Sequence, residues 1–143
     1  MSGVDFHGKD VIDVGTGSGI LGVAAALDGA KSCYMCDIDS VAVKAATENA
    51  ALNEVDGFVV IENADLLTKE NKKGDVVLAN LTAGILVRLS KDLSDHIVKG
   101  GILICSGIIH ERKQEVIDAF PRAGFILCEE VVMGEWDALK FTY

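Results

Sequence analysis

Between an apolar run, Asp10 to Val14, and a helical stretch, Ser18 to Asp28, the chain carries Asp13-Val14-Gly15-Thr16-Gly17-Ser18-Gly19. Three glycines so close together rule out a continuing strand or an uninterrupted helix, because glycine weakens both and supplies the left-handed conformations of a tight turn. A strand that ends in such a turn and re-enters a helix points the helix's free N–H groups at a ligand, an arrangement many nucleotide cofactors exploit. Ile20, Val23, Ala24 and Leu27 then share one helical face, and Gly29 follows as a left-handed stop.

The same alternation continues. Ser32 to Asp37 reads as a second strand, and Ser40 is placed to cap a helix running to about Leu52 through an alanine-rich face. Phe58 to Ile61 is a third strand and Asp75 to Ala79 a fourth, apolar enough to be buried on both faces. Leu86, Leu89, Leu93 and Ile97 repeat at helical spacing up to Lys99-Gly100-Gly101, Ile102 to Cys105 is a fifth strand, and a helix is expected from about Glu111 to Phe120. Beyond Pro121 and Gly124 there is no helical stretch, and Gly134-Glu135 separates two β-rich runs as the turn of a hairpin. A parallel pair needs a crossover of about a dozen residues, for which there is no room. The sequence therefore predicts an α/β fold with a mostly parallel sheet, helices on both faces and an antiparallel C-terminal hairpin.

The 143 residues suit one domain, and no repeat or linker divides them. No stretch reaches the roughly 18 uninterrupted apolar residues of a membrane span, and no secretory signal is present, so a cytoplasmic protein without membrane partners is expected. With 22 acidic against 13 basic residues the net charge is −9, which argues against direct binding to nucleic acid and favours a basic or neutral partner. Cys33, Cys36, Cys105 and Cys128 all fall in apolar runs read as strands, so reduced, buried thiols are expected; in a strand Cys33 and Cys36 diverge to opposite faces and do not form a metal or redox pair.

Frame and charge separate the candidate cofactors. In a dinucleotide turn starting at Gly15 and Gly17 the next glycine belongs at position 20, where Ile20 stands; the frame Gly17, Gly19, Gly22 pushes the strand through Gly15. Neither frame explains Asp13. S-adenosylmethionine carries a sulfonium and an ammonium group and no phosphate, so a carboxylate at the turn suits it. Asp37, 18 residues beyond Gly19 at the end of the second strand, is positioned to accept from both ribose hydroxyls. Asp39 reads as a helix cap, and Asp65 as an acceptor for the adenine amino group or a solvated loop residue.

Asn80-Leu81-Thr82-Ala83 closes the fourth strand, at the edge of the sheet where open α/β folds bind ligands. Methyl transfer to an amine needs an oriented, neutral lone pair, and the Asn80 amide oxygen beside the Leu81 carbonyl can hold the amine's protons. The plain alternative is that Asn80 caps the helix beginning near Ala83. His96 reads as a packing residue near a helix end, His7 and His110 have no evident partners, and no histidine is assigned to catalysis.

Together these residues resemble the bacterial methyltransferases of large-subunit ribosomal protein L-eleven, within the class I S-adenosylmethionine-dependent methyltransferases. The resemblance rests on Asp13 to Leu21, Asp37-Ile38-Asp39, Glu48-Asn49-Ala50-Ala51-Leu52-Asn53, Ala79 to Ala83, Ser106-Gly107-Ile108 and Glu135-Trp136. It implies a seven-stranded Rossmann-like sheet and methyl transfer to lysine side chains or the N-terminal amine of a ribosomal protein, with S-adenosylhomocysteine as the product. The donor site is then expected on Asp13, Gly15, Thr16, Gly17 and Gly19, on Asp37, Ile38 and Asp65, and on Asn80; Asn80 and Leu81 hold the acceptor amine, and no metal is expected. The family's N-terminal substrate-recognition domain has no counterpart in Met1 to Gly8, so residues 1–143 are expected to form the catalytic core alone. The other readings are the same donor with a nucleic-acid or small-molecule acceptor, a cofactor-binding core without turnover, and an NAD-dependent oxidoreductase.

Overall fold

A computed structural model of the chain describes residues 4–65 and 72–143. Its seven strands form a sheet in the order β3-β2-β1-β4-β5-β7-β6, which is the mixed, mostly parallel topology expected from the sequence. The chain gathers into two compact units, residues 1–70 and 71–143. No helix among the described residues is long and apolar enough to cross a membrane.

The first unit contains β1 (Asp10–Val14), α1 (Ile20–Leu27), β2 (Ser32–Asp37), α2 (Ser40–Leu52) and β3 (Val59–Asn63). The strands β1, β2 and β3 are parallel, and Val14 pairs with Cys36 and Asp37 with Asn63. Their C-terminal ends therefore share one edge. Cys33 to Cys36 are all buried because β2 has a neighbour on each side. Ala46 and Ala50 are the buried residues of α2, whose small side chains let the helix lie close to the strands. The cap of α2 is Asp39, whose carboxylate accepts from the Val41 N–H at 2.9 Å, rather than Ser40, which is already helical.

One expectation for α1 is corrected. It starts at Ile20, because Gly19 is left-handed (φ 82°), and it buries Gly22, Val23 and Ala25. Ile20, Val23, Ala24 and Leu27 share one face as read, and together line a groove; only Val23 of the four is buried, with Ile20 and Leu27 69% and 59% exposed. The smallest side chains face inward because Met35 of β2 presses directly on the helix. A Cβ on Gly22 would come within 2.7 Å of the Met35 sulfur.

The second unit contains β4 (Gly74–Asn80), α3 (Ala83–Leu93), β5 (Ile97–Ile109), α4 (Lys113–Ala119), β6 (Ile126–Met133) and β7 (Trp136–Thr142). The helical spacing read through Ile97 ends four residues early: α3 stops at Leu93, one tight turn follows, and Ile97 opens β5 opposite Gly74. β5 extends on both sides of Ile102 to Cys105, bending at Gly100, whose φ is 84°. The hairpin is as expected, with Met133 opposite Trp136 across Gly134-Glu135. Phe120, Phe125 and Phe141 anchor the core of this unit, with ring centroids 5.0 Å to 6.4 Å apart. Cys33, Cys36 and Cys105 are buried free thiols, whereas Cys128 is exposed, because β6 ends the strand order and has a neighbour on one side only.

Candidate functional site

The donor-side residues of the first unit converge on the glycine turn. Gly15, Gly17 and Gly19 have φ of 66°, 56° and 82°, a left-handed series that residues with a Cβ rarely adopt. The Gly15 and Thr16 N–H groups donate to the Cys36 carbonyl at 2.9 Å and 3.0 Å, and the Gly17 N–H donates to Asp37 Oδ2 at 3.0 Å. The other oxygen of Asp37 accepts from the Asp39 N–H at 2.9 Å. Asp37 thus ties the end of β2 to the centre of the turn.

Asp13 lies beneath that turn, 1% exposed. Its Oδ2 accepts from the Thr16 hydroxyl at 2.6 Å and from the Gly22 N–H at 3.1 Å, while Oδ1 has no hydrogen-bond partner among the described residues. Burial pushes its carboxyl up to about 6; the Thr16 and Gly22 hydrogen bonds oppose this, and the charge of Asp37 adds to it. A buried carboxylate with an unfilled acceptor is a site of stored electrostatic cost that a cation relieves.

Of the remaining donor-side candidates, Ile38 is 80% exposed beside Asp37. Asp65 is an exposed residue past β3, where the Ala64 N–H donates to the Asp37 carbonyl at 3.1 Å and Asn63 Nδ2 does so at 3.0 Å. These residues belong to the same strand edge as the turn. β1 ends at Val14, which makes Gly15 the first residue of the turn and puts Ile20 at the third glycine position of the dinucleotide frame.

On the second unit, Asn80 is the exposed last residue of β4, opposite Ser106 of β5. It is not the helix cap: α3 starts at Ala83 and Thr82 holds the cap position, so the capping alternative is set aside. β5 bulges just after this pairing. Cys105 faces Leu139 and Ile108 faces Asp137, leaving Ser106 and Gly107 opposite a single residue. Gly107 has φ 77°, and a Cβ there would overlap the Asn80 amide oxygen and lie 3.8 Å from the Leu81 carbonyl. Both oxygens read as amine acceptors therefore flank one glycine.

Three features escaped the sequence reading. Asn49 of α2 donates from Nδ2 to the Ser18 carbonyl at 2.6 Å, a contact between a helix and the glycine turn that spacing alone does not reveal. Met35 packs under both Gly19 and Gly22. His110, read as lacking a partner, places Nδ1 2.9 Å from Asp137 Oδ2, and Lys113 Nζ lies 3.4 Å from the same oxygen. Asp137 is 1% exposed; burial alone raises its carboxyl, but the His110 hydrogen bond and the Lys113 and His110 charges outweigh burial and hold it below its ordinary value. Only the alternation of β7, with Asp137 on an inward position, hinted at this. His96 is buried, with Nδ1 2.8 Å from the Lys72 carbonyl.

Comparison with known proteins agrees with this arrangement. The family model "Ribosomal protein L11 methyltransferase (PrmA)" matches residues 1–143. The ribosomal protein L11 methyltransferases of Streptococcus pyogenes serotypes M3 and M28 are 46% and 47% identical over 134 residues, 94% of this chain and 42% of theirs. The chain thus spans less than half the length of these relatives. The crystal structure of a ribosomal protein L11 methylase from Lactobacillus delbrueckii subsp. bulgaricus superposes with a TM-score of 0.89 at 36% identity, covering 94% of this chain and 70% of that one. An RNA methyltransferase from Salinibacter ruber in complex with S-adenosyl-L-homocysteine shares the fold at 19% identity, with a TM-score of 0.74 and coverage of 92% and 78%. The chain belongs to the ribosomal protein L11 methyltransferase family.

Proposed function

We propose that the chain is the catalytic core of an S-adenosylmethionine-dependent N-methyltransferase whose acceptor is an amino group of a basic protein, in keeping with the ribosomal protein in its relatives' names. The observation that carries the donor assignment is Asp13: a buried carboxylate with Oδ1 unpartnered among the described residues, at a left-handed glycine turn. A pyrophosphate there would meet like charge, whereas a sulfonium or ammonium group meets the opposite one. Asp37, already fixed to the turn by the Gly17 N–H, has further lone pairs with which to accept from ribose hydroxyls. Exposed Ile38 offers apolar surface to a base, and Asp65 an acceptor for its amino group.

The donor, when bound, supplies a methyl group on positively charged sulfur. The chain's task is then orientation. Asn80 Oδ1 and the Leu81 carbonyl each accept a hydrogen bond from an N–H of the neutral amine, which leaves its lone pair free to point at the methyl carbon. No strong base is required, and the proton the nitrogen sheds passes to solvent. The net charge of −9 favours approach of a lysine-rich acceptor.

The test is incubation of the chain with S-adenosylmethionine and a purified large-subunit ribosomal protein L11, read by intact-mass spectrometry. Stepwise methyl additions are expected on amines, and Asn80→Ala should lower the rate about 100-fold, well beyond any loss of donor affinity. Unchanged transfer by Asn80→Ala would overturn the acceptor assignment. Donor binding with no transfer by the unmodified chain would favour a binding core without turnover.

A further inference from the structure

The Glu48 to Asn53 segment marks the family resemblance but has no part in the donor or acceptor assignments above. It lies on the second half of α2 and reaches the glycine turn through one side chain. Asn49 is half-buried, and its Nδ2 donates to the Ser18 carbonyl at 2.6 Å, 31 positions earlier in the chain. The same peptide unit is held at its other end, where the Gly19 N–H donates to the Thr16 carbonyl at 2.9 Å. With both its oxygen and its hydrogen engaged, the Ser18–Gly19 peptide plane has one orientation. That orientation sets Gly19 at φ 82°, the cap position of α1, which has no side-chain cap bond.

The surroundings show why this tether matters. The first part of the turn is fastened to β2 through the Cys36 carbonyl and the Asp37 carboxylate. The part after Gly17 is packed from below, where a Cβ on Gly19 would come within 2.9 Å of Ala46 and Met35. Asn49 also lines a groove of about 340 Å³ between α1 and α2, together with Ile20, Val23, Ala24, Leu27 and Asn53. Packing from one side and the single Gly19 N–H bond leave the peptide some freedom to tilt, and a hydrogen bond to its oxygen removes that freedom. Asn49 is itself steadied, since Asn53 donates to its carbonyl from N and Nδ2 at 3.1 Å and 2.8 Å.

We infer that Asn49 is a positioning residue for the donor: through the Ser18 carbonyl it holds the turn in the conformation the donor requires, without touching the donor itself. The inference rests on the donor reading proposed above. Asn49 acts as a hydrogen-bond donor, so its replacement by an isosteric acceptor is worse than its deletion. Asn49→Asp sets a carboxylate against a carbonyl oxygen, whereas Asn49→Ala leaves that oxygen to water. Asn49→Gln retains the amide, and the open groove has room for the added methylene.

The experiment is calorimetric titration of the full chain and these three variants with S-adenosylhomocysteine, with thermal unfolding followed by circular dichroism. Asn49→Ala is expected to weaken binding about fivefold, the worth of a single hydrogen bond, with its unfolding midpoint close to that of the unmodified chain. Asn49→Asp should bind more weakly still, and Asn49→Gln should recover most of the loss. Unmodified affinity in Asn49→Ala and Asn49→Asp would overturn the inference. So would equal losses in all three variants, or a loss matched by a fall in the unfolding midpoint. Absence of binding by the unmodified chain would instead refute the donor reading beneath it.

Discussion

On the proposed donor reading, the raised carboxyl of Asp13 should make affinity for the donor a function of pH, and the size of the effect follows from its surroundings. In the ligand-free chain the group moves from 3.8 to about 6, chiefly through burial. The folded chain therefore holds a proton that the unfolded chain has released between those values. Its contribution to stability is complete below 3.8 and is lost as pH rises through about 6, at a cost of roughly 3 kcal/mol to the ionised, ligand-free fold. On the proposed donor reading, the field of the ligand's α-ammonium group at the turn favours the ionised form of Asp13, so binding at low pH must first expel the proton. From the ionised fraction, affinity for S-adenosylhomocysteine should be about tenfold weaker at about pH 5 than at about pH 7.5, a difference of about 1.4 kcal/mol. Calorimetric titration across that range measures it directly, and proton release should appear as a dependence of the binding heat on the buffer. Asp13→Asn should flatten the profile. An affinity that is independent of pH, or a profile that survives in Asp13→Asn, would refute the reasoning.

Other outcomes follow from the second unit. Gly107→Ala places a methyl group on the Asn80 amide oxygen and strains a backbone at φ 77°; methyl transfer should fall about 100-fold, far more than S-adenosylhomocysteine affinity, a split that steady-state kinetics and calorimetry resolve. Phe120 is fully buried against Phe125 and Phe141, so Phe120→Ala should cost about 3–5 kcal/mol in urea unfolding. The lowered carboxyl of Asp137 contributes stability present above its unfolded value and lost as pH falls through the lower folded one. His110→Ala should narrow that margin, seen as an earlier acid transition by circular dichroism.

The turn and the strands around it were legible because glycine, β-branched runs and a two-residue hairpin are local signals. β1 and β2 fall on the residues read for them, and Asp39 caps α2 as read. Errors arose where tertiary contacts override periodicity. Ile97 continues a helical pattern but pairs with Gly74, because a strand edge there offers more burial than another helical turn. Ile20 and Leu27 are apolar yet exposed, because Met35 admits only Gly22, Val23 and Ala25 beneath α1. Of the candidate site, the strand-end placement of Asp37 and Asn80 was legible from the apolar runs before them. The Asn49 tether and the His110–Asp137 pair could not, since each joins segments that only folding brings together.

The glycine turn, with Asp13 and Asp37, is proposed to take a cationic nucleoside donor. The most direct measurement is titration of the chain and of Asp37→Ala with S-adenosylhomocysteine, with NADH as the rival ligand. Saturable binding at one site per chain is expected, at least tenfold weaker in Asp37→Ala through loss of its charge-assisted hydrogen bonds, with no heat from NADH. Binding of NADH in place of S-adenosylhomocysteine, or equal affinity in Asp37→Ala, would contradict it.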